Sequence, residues 1–577
     1  MIRKLVRQML AAQTLSALTV SVCLLIDNIM IARFLGESAI AAYGLANPVL
    51  LVIGAIGSML SAGVQVACSR SLGQGSQSET NAGYSSAVVM TAAISLAFMA
   101  VVLALRTPLA RLMGADREAA LMADTSGYMA GFIIGAPASM GALILVPFLQ
   151  MAGRSGLLIA SVLGMTVTDV AFDLLNVKVF HGGMFGMGLA SSLSYYVAMV
   201  IGGGYFLSKK SVFKFTRAGV RRDKMAELLR GGVPTVFNMA SSVVLIFAMN
   251  KLLLSTPSGA MAVAAFTVII TIGNASNCIS TGMGGVSLTL TGILYNEEDQ
   301  NGLKDLLGML IRWAVALGVG MAAILIVFAP AFVSLFLPNP TEIQRMAIQG
   351  TRLYALGLIP CCVNNAFKSG YQGIGRVRTM ELICVMEGAV LPILSAMALI
   401  HLSAVWLYFL VGETLTLLGI LGYAALHNGC FGGDLLLLPK DFRLPPEDLM
   451  EADIRTTHEA VQVSQAADAF CRAHARNPLL ADHLALCIEE MGTNIVQHGF
   501  SPDGKNHLSM RLQHKGDHWT LRFRDDCRAF DPVNFVPGED KKDCVGIRLV
   551  LHMADEVRYT YSMNLNNLTL VLKDNPV

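Results

Sequence analysis

A chain of 577 residues that is 54% hydrophobic, 14% charged and close to neutral at +2 is not an ordinary soluble protein, in which about a quarter of the residues are charged. It has no basic stripe with interleaved aromatics, which argues against nucleic acid as a partner. The 11 cysteines are scattered without paired CxxC spacing, so they read as small buried apolar residues in a reducing compartment, neither a disulfide frame nor a zinc site.

In chain order, the start MIRKLVRQML is basic and runs into an apolar stretch without a small-residue cleavage site. It reads as a retained first helix with a cytoplasmic start. A membrane span needs about 20 mostly apolar residues. Twelve stretches qualify: 14–36, 47–72, 86–105, 124–151, 156–178, 184–207, 234–255, 261–292, 307–337, 350–375, 378–400 and 403–427. The predicted class is an all-α polytopic membrane domain over 1–427, followed by a linker over 428–449 and an α+β domain over 450–577. The connection between spans six and seven (208–233) holds SKKSVFKFTRAGVRRDKMAELLRGG, the most basic stretch of the chain. Cytoplasmic loops are rich in Lys and Arg, so this loop and the basic start place both ends of the protein in the cytoplasm. The loop RTPLARLMGADREAA, with three arginines, falls outside and argues weakly against that orientation.

The two halves, 1–207 and 234–427, look related. Ala39-Ile-Ala-Ala-Tyr43 is echoed by Ala262-Val-Ala-Ala-Phe266, and Gly63-Val-Gln-Val66 by Gly285-Val-Ser-Leu288, at a shift of about 222 residues. Two six-span lobes in the same order form a parallel repeat, with a site at their interface or within a lobe.

A carboxylate at mid-membrane costs about 2.5–3.5 kcal/mol on insertion scales. Asp27 lies near the middle of the first span, in SVCLLIDNIMIARF; Asp169 and Asp173 lie in the fifth, in TVTDVAFDLLN. Their i,i+4 spacing puts the second pair on one helix face. No Lys or Arg lies at comparable depth; Arg33 and Lys178 are near span ends. Such acids either bind a cation or carry protons. The bland alternative has Asp27 capping a broken helix and Asp169 or Asp173 in the headgroup region. In the second half, Glu387, Glu413 and Lys368 admit a structural Glu–Lys pair or a second ion site. Asn250, Asn274, Asn277, Asn364 and Asn365 read by default as glue between helices.

The run from Asp27 to Pro48, DNIMIARFLGESAIAAYGLANP, resembles the first-span signature of the multidrug and toxic compound extrusion (MATE) family. The resemblance covers about residues 10–427 and implies a twelve-span cation antiporter with two six-helix lobes. It implies an ion site formed by Asp27, Asp169, Asp173 and Ser191, with Na⁺ or H⁺ as coupling ion and a small molecule as cargo. Asp169 stands where the family has Asn, and Ser191 where it has Thr.

In the tail, the sequence predicts helices at 455–476 and 481–498, strands at 506–515 and 518–525, a short helix at 546–553, and strands at 556–562 and 567–573. This is α+β, with helices on one face of a largely antiparallel sheet. Leu484, Cys487, Ile488, Met491 and Ile495 follow the core-facing pattern of a helix. Glu490, Asn494 and His498 step by four along its flank, which reads as a solvated edge or the rim of a pocket. Arg524-Asp-Asp-Cys-Arg-Ala-Phe-Asp-Pro532 and Val545-Gly-Ile-Arg-Leu-Val550 follow. With Glu490-x-x-x-Asn494-x-x-x-His498 they resemble the ATP-binding fold shared by gyrase, Hsp90, histidine kinases and MutL (GHKL), its anti-sigma-factor serine kinase branch above all. That resemblance implies ATP and Mg²⁺ as cofactors and an anti-anti-sigma-type protein as partner. Asn494 would hold Mg²⁺, Glu490 would orient a hydroxyl nucleophile, Asp525 would accept from the adenine amino group, and Gly546 would admit the phosphates. Cys527, Ala529 and the pair Asp543-Cys544 replace residues that are usually glycine. The chain contains no GxxxxGK[ST] loop, so ATP need not drive transport.

The sequence thus points to an ion-coupled exporter in the cytoplasmic membrane, surrounded by lipid, with a nucleotide-binding regulatory tail. Two rivals stand beside it: a membrane-anchored serine/threonine kinase or binding module using the transporter fold as its sensor, and a flippase for lipid-linked precursors.

Overall fold

The computed structural model describes residues 2–117, 119–208, 211–257, 259–337, 341–400, 404–428, 438, 442, 445–474, 477–502, 506–535 and 545–574. The first lobe comprises α1 (Ile2–Phe34), α2 (Glu37–Gly73), α3 (Gln77–Leu112), α4 (Ala119–Ile133), α5 (Ala136–Met151), α6 (Ser155–Leu175) and α7 (Gly183–Gly203). The second comprises α8 (Arg222–Leu254), α9 (Gly259–Ser276), α10 (Cys278–Asn296), α11 (Gln300–Ser334), α12 (Glu342–Gly373), α13 (Val377–Val385), α14 (Leu391–Ile400) and α15 (Tyr408–Asn428). Among the described residues ten helices are long and apolar enough to cross a membrane, and the pair α4–α5, bent by 47°, makes an eleventh if it is one span. The 33-residue α1 completes the first lobe, packing on α6 and α10.

Two spans expected as unbroken are interrupted. The fourth breaks at Ile134-Gly135, where Pro137 follows in the first turn of α5. The eighth breaks at Asn277, whose Nδ2 donates to Tyr354 Oη at 3.4 Å. Asn277 is thus glue at a helix break, and Asn365, inside α12, is glue through its bond to Ser280 of α10.

The repeat extends through the whole membrane part. Gln77 and Gln300 open α3 and α11, and Ser155 and Val377 open α6 and α13, again about 222 residues apart. The helix ends are built alike: Gly75 and Glu298 take positive φ after α2 and α10, and Gly153 and Gly375 after α5 and α12. The lobes meet closely in one half of their length. A methyl group on Gly63 would strike the Leu228 carbonyl, one on Gly232 the Met59 carbonyl, and one on Gly73 the Ile293 carbonyl.

The tail folds as β1 (Leu449–Ile454), α16 (Thr457–His474), α17 (Pro478–Asn494), β2 (Leu508–His514), β3 (His518–Asp525), α18 (Val545–Met553), β4 (Glu556–Ser562) and β5 (Leu565–Lys573). The strands pair antiparallel in the order β1-β2-β3-β5-β4. β1 was not expected. Its segment follows a proline-rich stretch and reads as the end of a linker, yet it pairs with β2 along its whole length. Alternate residues of the sheet divide its faces. Met510, Leu512, Trp519, Leu521, Phe523, Leu568 and Leu570 pack under α16 and α17 with Leu484, Cys487 and Ile488. The opposite face turns to the membrane part.

That second face is strongly ionic. Arg511 pairs with Asp299, and with Glu451 at 2.5 Å; Arg524 pairs with Glu297, and with Asp299 at 3.5 Å; Lys515 pairs with Glu298. Arg522 donates to the Glu297 carbonyl at 2.7 Å. The guanidinium groups also fix the state of the acid: burial alone would raise the Asp299 pKa, but Arg511 and Arg524 hold it below the usual carboxylate value. On the first lobe, Met563 N–H donates to the Met151 carbonyl at 2.7 Å, Asn564 Nδ2 to the Gly153 carbonyl at 3.0 Å, and Arg558 to the Gln74 carbonyl at 3.4 Å. The connections after α2, α5 and α10 therefore all reach the tail. The basic connection packs on the same side, with Val212, Lys214 and Arg221 bonded to Gln77, Asn81 and Ser86 of α3.

Candidate functional site

Three helices of the first lobe converge on a group of acids. Asp27 comes from α1, Asp169 and Asp173 from α6, and Ser191 from α7, and they are 5%, 4%, 0% and 5% exposed. The carboxyl groups of Asp27, Asp169 and Asp173 lie close enough to interact with one another. Ser191 Oγ donates to Asp27 Oδ2 at 3.5 Å. Asp27 Oδ1, Asp169 Oδ1 and both oxygens of Asp173 are buried without a hydrogen-bond partner. Among the described residues no Lys or Arg pairs with any of them. The burial of all three acids, and the unbroken course of α1 through Asp27, argue against the solvated and cap alternatives. Unmatched carboxylates in a low-dielectric interior are costly unless a positive charge offsets them.

Sequence reasoning missed the rest of this shell. Cys23 Sγ donates to Thr166 Oγ1 at 3.3 Å, and Cys23 and Ser194 both reach Asp169. Cys23 lies one turn before Asp27, and Ser194 one turn after Ser191, so the i,i+3 and i,i+4 rules could have flagged them. Asn176 closes the far end, where α6 ends in a π-turn over Asn176–Phe180: its Nδ2 donates to the Gly183 carbonyl at 3.1 Å and its Oδ1 accepts from Gly182 N–H at 3.1 Å.

The second lobe differs. Lys368 Nζ lies 2.7 Å from Glu387 Oε2, and each side chain is 6% exposed. Of the two readings left open for this half, the structural pair is present. Glu413 Oε2 accepts from Asn364 Nδ2 at 2.8 Å. Ligand atoms of Cys361, Glu387 and Glu413 lie within 4.8 Å of one another. Here one ammonium offsets one of two carboxylates, whereas among the described residues no ammonium pairs with the acids of the first lobe.

The tail has its own site. A cavity of about 360 Å³ opens between α17, α18 and the end of β3, lined by Asn494, His498, Asp525, Cys527, Asn566 and apolar neighbours. Its size falls in the range of small-molecule sites. Asp525 is 4% exposed. Its Oδ1 accepts from Asn566 Nδ2 at 2.8 Å and Cys527 N–H at 3.0 Å. Burial pushes its pKa above the usual value. Glu490 stands one turn before Asn494, at the edge of the cavity. Its carboxylate lies against Gly546, where any side chain would strike it. The structure thus gathers Asn494, His498 and Asp525 around one space and sets Glu490 beside Gly546 at its border. Cys527 leans on Gly499, which offers no side chain to obstruct it. Ala529 is exposed. Asp543 and Cys544 lie outside the described residues. Asn566 goes unnoticed in the sequence, lying one residue before the strand predicted at 567–573. It is held by Tyr559 Oη–H at 2.7 Å and orients Asp525.

The MatE family model matches residues 13–177 and 234–410, more than half of the chain and both lobes. The chain belongs to the MatE family. The MatE part is followed by a match to the histidine kinase-like ATPase domain over residues 452–572. Solved structures agree in fold. A MATE in complex with MaL6 is 19% identical, with 72% of this chain and 94% of that one covered and a TM-score of 0.67. An outward-facing multidrug resistance MATE transporter of the MOP superfamily is 19% identical, covering 72% and 93% with a TM-score of 0.66. A MOP superfamily transporter from Pyrococcus furiosus, described as having a binding pocket of reversed polarity, is 20% identical over 73% and 96%, with a TM-score of 0.65. No curated protein matches the chain. MatE-family proteins are ion-coupled efflux transporters of small molecules, and this MatE chain carries an ATPase-like domain C-terminal to its MatE part.

Proposed function

We propose that this protein exports small cationic or amphipathic compounds across the cytoplasmic membrane in exchange for H⁺ or Na⁺. The coupling ion returns through Asp27, Asp169, Asp173 and Ser191 of the first lobe. One observation carries this reading: four buried carboxylate oxygens of Asp27, Asp169 and Asp173 have no partner. A cation or proton offsets their charge on binding, and its departure restores the mutual repulsion. Occupancy of the acids therefore favours one packing of α1 against α6 and α7 over another, and a ligand that binds two states unequally shifts the balance between them. The carboxylates hold the ion, and Ser191 and Ser194 supply neutral oxygens beside it. Alternating access then converts ion entry into cargo exit.

The basic connection between the lobes lies on the side of the tail, which supports a cytoplasmic tail under the positive-inside rule. There the ATPase-like domain has access to ATP. Asp525 is suited to accept from an adenine amino group, Asn494 to hold Mg²⁺, and Gly546 to let phosphates approach the start of α18. Bound ATP would supply a transferable phosphoryl group. Its use here is regulatory, because the ion site provides the driving force.

The decisive experiment uses proteoliposomes without ATP. An imposed H⁺ or Na⁺ gradient should drive accumulation of a fluorescent cationic dye, and Asp27→Asn should abolish it. Unchanged transport in that variant would overturn the assignment. The placement of Glu490 beside Gly546 favours a second reading, a serine/threonine kinase of anti-sigma type that takes the MatE part as its sensor. Labelled ATP with an anti-anti-sigma-type protein tests it: transfer lost in Glu490→Ala supports it, and no transfer by the unmodified protein removes it. The unpaired acids favour ion exchange over lipid-precursor flipping.

A further inference from the structure

The two residues joining β4 and β5, Met563 and Asn564, both take positive φ, +54° and +61°. A two-residue hairpin needs that conformation, and glycine, asparagine or aspartate adopts it at little cost. Methionine does not, so nothing local favours Met563 at this turn. The reason for it lies outside the tail. Its side chain is 7% exposed and belongs to the core of the MatE part, not to that of the sheet. It lies with Leu5 of α1 against Leu290, Ile293 and Leu294 of α10. The first helix belongs to one lobe and the second to the other, so Met563 sits on the seam between them.

The remaining anchors are unequal. The second lobe holds the sheet through Glu297, Glu298 and Asp299, against Arg511, Lys515 and Arg524. The first lobe holds it through the Met563 N–H, the Asn564 side-chain amide and Arg558, each donating to a backbone carbonyl. The tail cavity lies behind this contact, on the other face of the same strands. Arg524 reaches Glu297 while its neighbour Asp525 lines the cavity, and Asn567 accepts from Arg524 while its neighbour Asn566 donates to Asp525. Asn566 stands two residues from the turn.

We propose that the Met563 tip is a bolt across the lobe seam, holding the lobes together on the side of the tail, and that a purine nucleotide at Asp525 and Asn566 withdraws it. This rests on the transporter and nucleotide readings above. When the lobes part on this side, α1 leaves α10 and the place of Met563 disappears, so the tip must be released first. The ionic anchor keeps the domain on the second lobe meanwhile. A ligand group bonded to Asp525 competes with Asn566 for that carboxylate and moves the strand that carries the tip. Coupling of this kind is reciprocal, so freeing the tip also changes nucleotide affinity.

The test measures the distance between spin labels at Gly156→Cys and Arg378→Cys, exposed repeat-equivalent positions near the starts of α6 and α13. The full chain is held in nanodiscs with Cys430 and Cys544 replaced by serine. The expected result is one short distance for the parent and an added longer population for Met563→Gly, which suits the turn, and for Met563→Asp. Identical distributions in the parent and both variants overturn the bolt, whether or not the protein transports. Loss of gradient-driven transport with the distance change intact sinks the transporter reading and leaves the bolt standing. Mg–ATP should shift the parent toward the Met563→Gly distribution. ATP bound without a shift overturns the nucleotide release, and no binding by calorimetry sinks the nucleotide reading alone.

Discussion

Arg524→Ala is the sharpest probe of how the ATPase-like domain is held. The Arg524 side chain is 14% exposed and that of Glu297 5%. Removing one partner of a buried pair costs about 3–5 kcal/mol, because the other charge is left desolvated. After Arg524→Ala, Glu297 keeps no ion pair among the described residues, only the nearby charge of Arg522, which bonds its backbone carbonyl, whereas Asp299 still has Arg511. The residual exposure places the loss near the lower bound, about 3 kcal/mol. Glu297→Ala should cost less, about 1–2 kcal/mol, since Arg524 retains Asp299 and Asn567. The double variant should lose less than the two singles combined. Urea unfolding of the full chain in detergent measures this through Trp519, which is fully buried in the tail core. Docking stabilises only the folded tail, so its loss lowers the midpoint. Strict additivity would show that the two side chains do not communicate and that the interface is held some other way.

Asp299 makes the same contact pH-dependent. Its pKa is lowered in the folded state, so its contribution is complete above the ordinary carboxylate value near 4 and disappears as pH falls through the lower folded value. Tail unfolding should show this acid step, and Asp299→Asn should remove it. Asp525 has the opposite sign: burial raises its pKa, so it destabilises the ligand-free tail at neutral pH and ceases to do so as pH falls through the raised value. Asp525→Asn keeps the oxygen that accepts from Asn566 and Cys527, so it should raise the urea midpoint at pH 7. The same change should weaken Mg–ATP binding at least about tenfold, or about 1.4 kcal/mol; calorimetry showing parental affinity refutes the adenine role. Lys368→Met leaves Glu387 buried and unpaired, at a cost of about 3–5 kcal/mol. Thermal melts should show it, and Glu387→Gln added to Lys368→Met should recover most of the loss.

Much of the membrane part was legible because its signals are one-dimensional. Long apolar runs give spans, and an acid such as Asp27 stands out against them. The i,i+4 spacing of Asp169 and Asp173 was enough to put them on one face, and the structure adds that both point inward. The break at Asn277 was hidden because an asparagine in an apolar run has several uses, and only its bond to Tyr354 decides among them. β1 was hidden for a different reason: a short edge strand shows little alternation of its own and is fixed by its partner, β2. In the tail, Glu490, Asn494 and His498 shared a helix flank visible in the sequence. Asn566 did not, because its role depends on a cross-strand neighbour, Asp525, 41 residues away. The ionic face of the sheet was also unreadable. Arg511, Arg522 and Arg524 look like solvated strand residues until Glu297 and Asp299 are brought opposite them.

The turns that end α2 and α10 are built on one plan, yet one is Gln74-Gly75-Ser76 and the other Glu297-Glu298-Asp299. A repeated scaffold of this kind offers a visiting domain two similar landing places. Three negative charges on one turn and none on the other make them unequal, and the arginines of the sheet select the charged one. Moving those acids to the first turn should therefore rotate the tail by half a revolution about the axis relating the lobes, with its nucleotide cavity carried to the opposite flank.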